Sequence, residues 1–376
     1  LSPDQSPEFI NGLTLCESFY RQVVAPILKV HCPELRYSAA VIGSGSEVLG
    51  FDTAMSSDHD WGPRMMLFVS SEDYILCRDS LSEKFSRQLP RHFQGFSTNF
   101  ARSLENGVQF LDESESGAIT HRIEIHTIDA YLKDYLGLEV SGGCSRDQAV
   151  SSLDWLTFPE QKLCAFTRGR VFFDDLGLED WRNLFAYYPH DVWLYLLVCC
   201  WSDIEQNEHL MGRAGLVGDE IGSALIASAL VRDLMRLSFL MAKTYAPYPK
   251  WFGTAFGRLP QAHTLSPLLL KVLQAPNWQT REDNLTQAYQ LIARAHNQLG
   301  LGPSLPVEVR PFYDRPFKVI SMGAFSQALR AMINDSELSK LAAKPLLGGV
   351  DQWSQSTDLL ANPCWRPGIL GLYKTV

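Results

Sequence analysis

Apolar residues recur at helical spacing across residues 13–31 (Leu15, Phe19, Val23, Val24, Ile27, Leu28), which predicts an amphipathic helix ahead of the first strand. Residues 37–42 form a short apolar run closed by Gly43-Ser44-Gly45-Ser46, the pattern of a buried strand entering a turn. A second strand is predicted over 65–69, followed by a helix opening at Ser71-Glu72-Asp73 with Tyr74, Cys77, Leu81 and Phe85 on one face. A third covers 119–128. Its alternation sets Ile119, His121, Ile123, Ile125 and Thr127 on one face and Arg122, Glu124 and His126 on the other.

Beyond about residue 185 the strand signals fade and long apolar helical stretches take over, clearest at 191–204, 217–243 and 281–299. The last has Thr280 and Asp283 as capping partners, a stripe of Leu285, Tyr289, Ile292 and His296, and Gly300 as its stop. Residues 302–306 read as a linker, and the Pro- and Gly-rich tail 307–376 holds one good helix, 324–333. No internal repeat is visible. The pattern predicts an α+β chain: a mixed domain over 1–185, a helical domain over 186–300, and a C-terminal extension over 301–376 packing on the core.

Composition adds bounds to this picture. With 376 residues, 46% hydrophobic and 20% charged, the chain has ample material for real cores and is not disordered. Its 33 basic residues against 42 acidic give a net charge of −9, which argues against a surface that tracks a phosphate backbone, since that affinity comes from clustered Lys and Arg. A local basic pocket is still allowed. The eight cysteines are dispersed with no C-x-x-C pair, and Cys199-Cys200 sits inside an apolar run, so reduced thiols in a cytoplasmic compartment are expected. Residues 1–5 carry no basic stretch leading into an apolar one, and no run of about 18 apolar residues occurs, so no membrane span or anchor is expected.

The segment 42–62 concentrates the chemistry. A strand entering Gly-Ser gives a turn whose backbone N–H groups can cradle an anion at Ser44, Gly45 and Ser46. Asp58 and Asp60 follow, spaced to point the same way on a strand. Two adjacent carboxylates repel unless a cation neutralises them, and such hard oxygen donors suit Mg²⁺.

This arrangement resembles the nucleotidyltransferase superfamily that includes DNA polymerase beta and the small antibiotic nucleotidyltransferases. The family pattern is an apolar residue, Gly, Gly or Ser, a gap, then Asp-x-Asp or Asp-x-Glu, with a third acid on a later strand. Here eleven residues separate Ser46 from Asp58, thirteen separate Ser44 from it, and Glu124 matches the third acid. The run 169–177 is similar to the strand leading into the helical half. More narrowly, segments 45–52, 58–64, 158–162, 193–197 and 250–256 look like an uncharacterised family, known only as a domain of unknown function, spanning nearly the whole chain.

The resemblance implies a nucleotidyltransferase-like mixed sheet followed by a helical bundle. It implies two Mg²⁺ or Mn²⁺ ions on Asp58, Asp60 and Glu124, ATP as the probable co-substrate, and transfer of a nucleotidyl group to a small-molecule acceptor. Glu205, Glu208, Asp219 and Glu220 are the candidate bases or substrate contacts in the helical half. The resemblance also admits a homodimer in which a second subunit completes the cleft, while the acidic chain favours a small acceptor over nucleic acid.

Departures from the pattern open other readings. His59 stands where an apolar residue is usual, as a metal ligand, an acid/base or a buried polar group. Gly62-Pro63 breaks the strand after the acids; if the strand continued, Arg64 would fall in phase with them and meet a phosphate. Arg122 and His126 are either substrate contacts or partners of the acids. Lys250 is a phosphate ligand or a solvated loop lysine. Asp219 and Glu220 fit the N-terminus of a long helix better than a base, and Arg232, Asp233 and Arg236 fit an interhelical salt-bridge set better than a substrate-facing patch. The polar cluster 350–358 is an ordinary turn, or a segment that closes over the site. The rival functions are metal-free acid/base chemistry by His59, Asp60 and Glu124 (a lyase, hydratase or cyclase), and noncatalytic nucleotide binding.

Overall fold

The computed structural model describes residues 8–57, 61–102, 109–113, 116–140, 146–320 and 323–375. The chain divides into two compact units, one of Leu1–Ala149 with Lys162–Ala186 and one of Val150–Gln161 with Tyr187–Val376.

The first unit is built on a four-stranded sheet of β1 (Tyr37–Val41), β2 (Arg64–Val69), β3 (Arg122–His126) and β4 (Arg170–Asp174), in the order β3-β2-β1-β4. β2 runs antiparallel to β1 and parallel to β3, and β4 closes the other edge antiparallel to β1. The β2–β3 register pairs Arg64 with Arg122, Met66 with Glu124 and Phe68 with His126. Directly opposed residues share a face, so these six lie on one side of the sheet. Met65, Leu67, Val69, Ile123 and Ile125 lie on the other, in the main apolar core.

Leu15, Cys16, Phe19, Tyr20, Val24 and Leu28 cover that core from the expected N-terminal helix, and Leu81 and Phe85 from Ser71–Gln88. The N-terminal helix is continuous but contains a π turn at Tyr20–Val24, where the Ala25 N–H reaches back to the Tyr20 carbonyl. Pro26 follows immediately, and the widened turn accommodates a ring that lacks an N–H donor.

β3 is shorter than the 119–128 strand the alternation predicts. At its start the Ile119 N–H bonds the Ser86 carbonyl, and the His121 ring accepts the Ile123 N–H at 3.1 Å. At its end Thr127 caps the helix Ile128–Leu136. Neighbouring helices thus claim both ends of the apolar run before a ladder can form. β2 begins at Arg64, directly after Pro63.

The second unit is helical around His190–Leu216, in which every residue from Val192 to Ser202 is buried, the Cys199-Cys200-Trp201 run included. A helix apolar all round belongs at a centre. Glu220–Met241 and Trp278–Gln298 pack against it, and Ala262–Gln274 packs against those two. The C-terminal residues close over the same helix: Gln352 Nε2 donates to the Leu196 carbonyl at 2.9 Å, and the Asn334 and Asp335 N–H groups bond Asp191. Residues 150–161 join this unit through Arg366, which pairs with Asp154 and donates to Thr157 Oγ1 at 2.9 Å. Trp278–Gln298 starts earlier than its pattern indicates. Asn277 is the cap, accepting the Thr280 N–H at 2.9 Å, while Asp283 instead meets Lys318 Nζ at 2.8 Å.

Among the described residues no helix is long and apolar enough to cross a membrane. Seven cysteines are free thiols and Cys144 lies outside the described residues; burial pushes the Cys16 thiol up to about 12.

Asp174 at the end of β4 generates a pH dependence. Its carboxylate accepts the Ser38 hydroxyl and the N–H groups of Gly177, Leu178 and Glu179 at 2.9–3.0 Å. Burial pushes its pKa up, but the Ser38 and backbone donors outweigh burial and hold it below the ordinary Asp value. A carboxyl depressed in the folded state stabilises above its unfolded pKa, and that stability is lost as pH falls through the folded value. We expect Asp174→Asn to cost about 1 kcal/mol at neutral pH, the scale of a lost helix-start acceptor, and to flatten the acid limb. Urea denaturation across pH checks both, and an unchanged acid limb would contradict the assignment.

Candidate functional site

The turn after β1 is held from below. Gly43 and Gly45 both have positive φ, +80° and +147°. A Cβ at Gly45 would come within 2.6 Å of Arg64 Nη2 and of both Glu47 carboxylate oxygens, and one at Gly43 within 2.6 Å of the Tyr131 hydroxyl. Glycine is therefore required at both positions by conformation and by close approach. Ser46–Leu49 follows as a single helical turn that buries Glu47.

Glu47 and Arg64 form a buried ion pair, with side chains 2% and 4% exposed. Arg64 Nε donates to Glu47 Oε1 at 2.7 Å, and Nη2 donates to the Ser44 carbonyl at 2.7 Å. Burial works against the Arg64 charge, yet Glu47, helped by Cys16 and Glu124, holds its pKa above the ordinary range. One side chain thereby ties the turn to the first residue of β2.

On the sheet face above, Ser44, Arg64, Met66, Arg122, Glu124 and His126 line a cavity of about 260 Å³, closed by Tyr131, Asp134 and Tyr135 of the helix Ile128–Leu136. Glu124 lies 4.0 Å from Arg122 Nε and 3.4 Å from His126 Nε2, with its side chain 41% exposed. Burial raises its pKa, but the His126 hydrogen bond and the Arg64, His126 and Arg122 charges outweigh burial and hold it below the ordinary Glu value. The Tyr131 ring packs edge-on against Phe68 and His126 and stacks on Tyr135. Tyr131 is buried, which holds its phenol protonated, and its hydroxyl has no hydrogen-bond partner among the described residues. Lys162 Nζ donates to the Tyr135 carbonyl at 2.6 Å, a cation at that helix's C-terminus; burial brings its pKa down to about 8. The cavity thus presents an ionised carboxylate among two guanidiniums and an imidazole, closed by Asp134 and the two tyrosines, with the Tyr131 hydroxyl itself buried. Such a wall holds an anion beside a carboxylate.

The structure brings Ser44, Arg64, Arg122, Glu124 and His126 together, with Gly45 and Ser46 in the adjoining turn. Asp58, His59 and Asp60 lie outside the described residues. Among the described residues no group of three or more His, Cys, Asp or Glu is placed to hold a metal ion.

The remaining candidates belong to the second unit and have local tasks. Glu208 is buried and accepts the Ile320 N–H at 2.6 Å, Glu205 accepts the Ser326 hydroxyl at 2.7 Å, and Asp219 caps Glu220–Met241 through the Gly222 N–H. Glu220 pairs with Arg281. Lys250 is exposed in the first turn of Pro249–Phe256, its Nζ 4.9 Å from the centre of the Trp251 ring. Sequence reasoning missed Tyr131 and Tyr135. Their spacing of four on the helix that follows the Glu124 strand is the available signal.

A family described as a domain of unknown function (DUF4037) matches residues 155–252. This is shorter than the near-whole-chain resemblance read from the sequence: 158–162 and 193–197 fall inside it, 250–256 straddles its end, and 45–52 and 58–64 lie outside. No curated protein matches the chain. Among solved structures, a nucleotidyltransferase-like protein from Exiguobacterium sibiricum 255-15 aligns over 76% of this chain and 78% of its own, at 10% identity and a TM-score of 0.32.

Two substitutions test the site's construction by urea denaturation. Arg64→Gln leaves the Glu47 carboxylate buried without its cation, and we expect a loss of about 3–5 kcal/mol; a loss under about 1 kcal/mol would show that the pair is not buried. Tyr131→Phe removes a hydroxyl with no partner to lose, so stability should hold or rise by about 1 kcal/mol. A comparable loss instead would mean that the hydroxyl is bonded.

Proposed function

We propose that the chain transfers a nucleotidyl group, most simply adenylyl from ATP, to a small-molecule acceptor. The observation that carries this reading is the sheet face of the first unit. There an ionised, half-exposed Glu124 shares one cavity with Arg64, Arg122 and the Gly-Ser turn, so that a carboxylate fit for a divalent cation adjoins cationic groups fit for phosphate. Glu124 satisfies the requirement for one metal ligand, being charged and open to the cavity. Asp58 and Asp60 are assigned as the others on the sequence pattern. Mg²⁺ or Mn²⁺ bound there would supply neutralisation of the triphosphate charge. The protein's own contribution is positioning: Ser44 and the turn amides against the phosphates, and Arg64 and Arg122 as cationic walls.

A second reading has one observation in its favour. His126 Nε2 lies 3.4 Å from Glu124 Oε2, and both residues line the cavity, a pair suited to metal-free proton transfer on a small metabolite.

Calorimetric titration with ATP in the presence and absence of Mg²⁺ or Mn²⁺ separates the two. Metal-dependent binding is expected, weakened by about tenfold or more in Asp58→Ala, Asp60→Ala and Glu124→Gln, the ~1.4 kcal/mol scale of one charged contact. Pyrophosphate release with an acceptor then distinguishes transfer from binding alone. Absence of triphosphate binding overturns the proposal and leaves the proton-transfer reading.

A further inference from the structure

The second unit contains a cavity of about 320 Å³ whose lining includes Arg232 and Arg236 of Glu220–Met241. At a spacing of four they share one helix face, and Asp233 between them, which is not among the lining residues, feels the charge of both. The salt-bridge set expected from the sequence does not form. Neither guanidinium makes a hydrogen bond or close ion pair with a described residue, and Arg236 instead lies 5.9 Å from the centre of the Phe252 ring. Phe252, Pro247 and Leu360 give the cavity an apolar wall, and Asp351 is the carboxylate among its lining residues.

The cavity is built rather than incidental. The Asp351 carboxylate accepts the Glu160 N–H at 2.8 Å, and the Glu160 carboxylate accepts the Ala246 N–H at 2.8 Å. These two bonds join three stretches distant in sequence: 158–162, the turn leading into 250–256, and the polar cluster 350–358. All three are conspicuous in the sequence and none is used by the sheet-face cavity of the first unit.

We propose that this cavity binds a small organic monocarboxylate, its carboxylate across Arg232 and Arg236 and its apolar body against Phe252, Pro247 and Leu360. Each guanidinium presents the planar fork of donors that a carboxylate accepts, and the two line the same cavity one helical turn apart. Charge then narrows the class. Arg236 acts on the Asp351, Glu160 and Asp233 carboxylates and Arg232 on Asp233, while burial opposes the charge of all three acids; the wall therefore holds little surplus positive charge, which suits a single carboxylate and not a polyphosphate. The volume sits at the low end of ligand pockets, roughly 300–1,000 Å³, which fits a metabolite of one ring or a short chain rather than a peptide. This inference stands independently of nucleotidyl transfer.

The test is titration of the full chain with benzoate, phenylacetate and 3-phenylpropionate, read by calorimetry, with benzyl alcohol and benzyl phosphate as comparisons. At least one carboxylate should bind saturably and benzyl alcohol should not. Arg232→Gln and Arg236→Gln should each weaken the bound carboxylate by about tenfold or more, each compared at a temperature where its circular dichroism matches that of the parent. Glu124→Gln, in the other unit, should leave this binding unchanged. The proposal is overturned if none of the three carboxylates binds saturably, if the arginine variants bind as tightly as the parent, or if benzyl phosphate binds more tightly than every carboxylate. Loss of binding in Glu124→Gln would overturn it too, by moving the site to the first unit.

Discussion

The buried pair of Glu47 and Arg64 is the constraint on which the first unit's site depends. An isolated charge at that depth would be unfavourable by several kcal/mol, and the pair persists because each group answers the other and the Ser44 carbonyl takes a remaining guanidinium donor. The pair dictates its surroundings. Gly45 must lack a side chain because Arg64 and Glu47 occupy that space, and β2 must begin at Arg64. The parallel register then sets Arg122 beside Arg64 and Glu124 beside Met66. A turn able to meet phosphate and a carboxylate able to meet a cation are thus fixed against one another by a single guanidinium.

The second unit places its polar groups differently. Its central helix is apolar on every side, so acids at its margins and around it are spent on backbone donors: Asp191 on residues 334–335, Glu208 on Ile320, Asp351 on Glu160, and Glu160 on Ala246. Buried polar groups need such partners. Against that economy Arg232 and Arg236 stand out, being cations at a cavity wall to which no described carboxylate is bonded.

Much of this was legible in the sequence where local pattern decides the outcome. Period-two alternation placed Arg122, Glu124 and His126 on one face, the apolar run ending in Gly-Ser marked a strand and its turn, and the long apolar stretches marked the helical half. What was not legible depended on distant partners. Glu47 follows the Gly-Ser turn with no partner near it in sequence, and its ion pair with Arg64, seventeen positions on, is what lets a carboxylate be buried there. The ends of the third strand were claimed by a neighbouring helix and by a cap. Asn277 displaced Thr280 as a cap because backbone geometry at the helix start decides between adjacent polar residues. Arg232 and Arg236 resembled part of a salt-bridge set because Asp233 lies one and three positions from them, yet Asp233 acts on both through its charge without forming a close pair with either. Residues 150–161 joined the second unit through Arg366, a partner more than two hundred positions away that no local window contains.

The central claim is that the sheet face above the Arg64–Glu47 pair receives a nucleoside triphosphate. Photolabelling with azido-ATP and Mg²⁺, followed by mapping of the labelled peptides, tests it most directly. The account predicts label in peptides spanning 43–46, 122–126 or 128–136, displaced by unmodified ATP. Label confined to peptides of the second unit, or label that excess ATP does not displace, would contradict it.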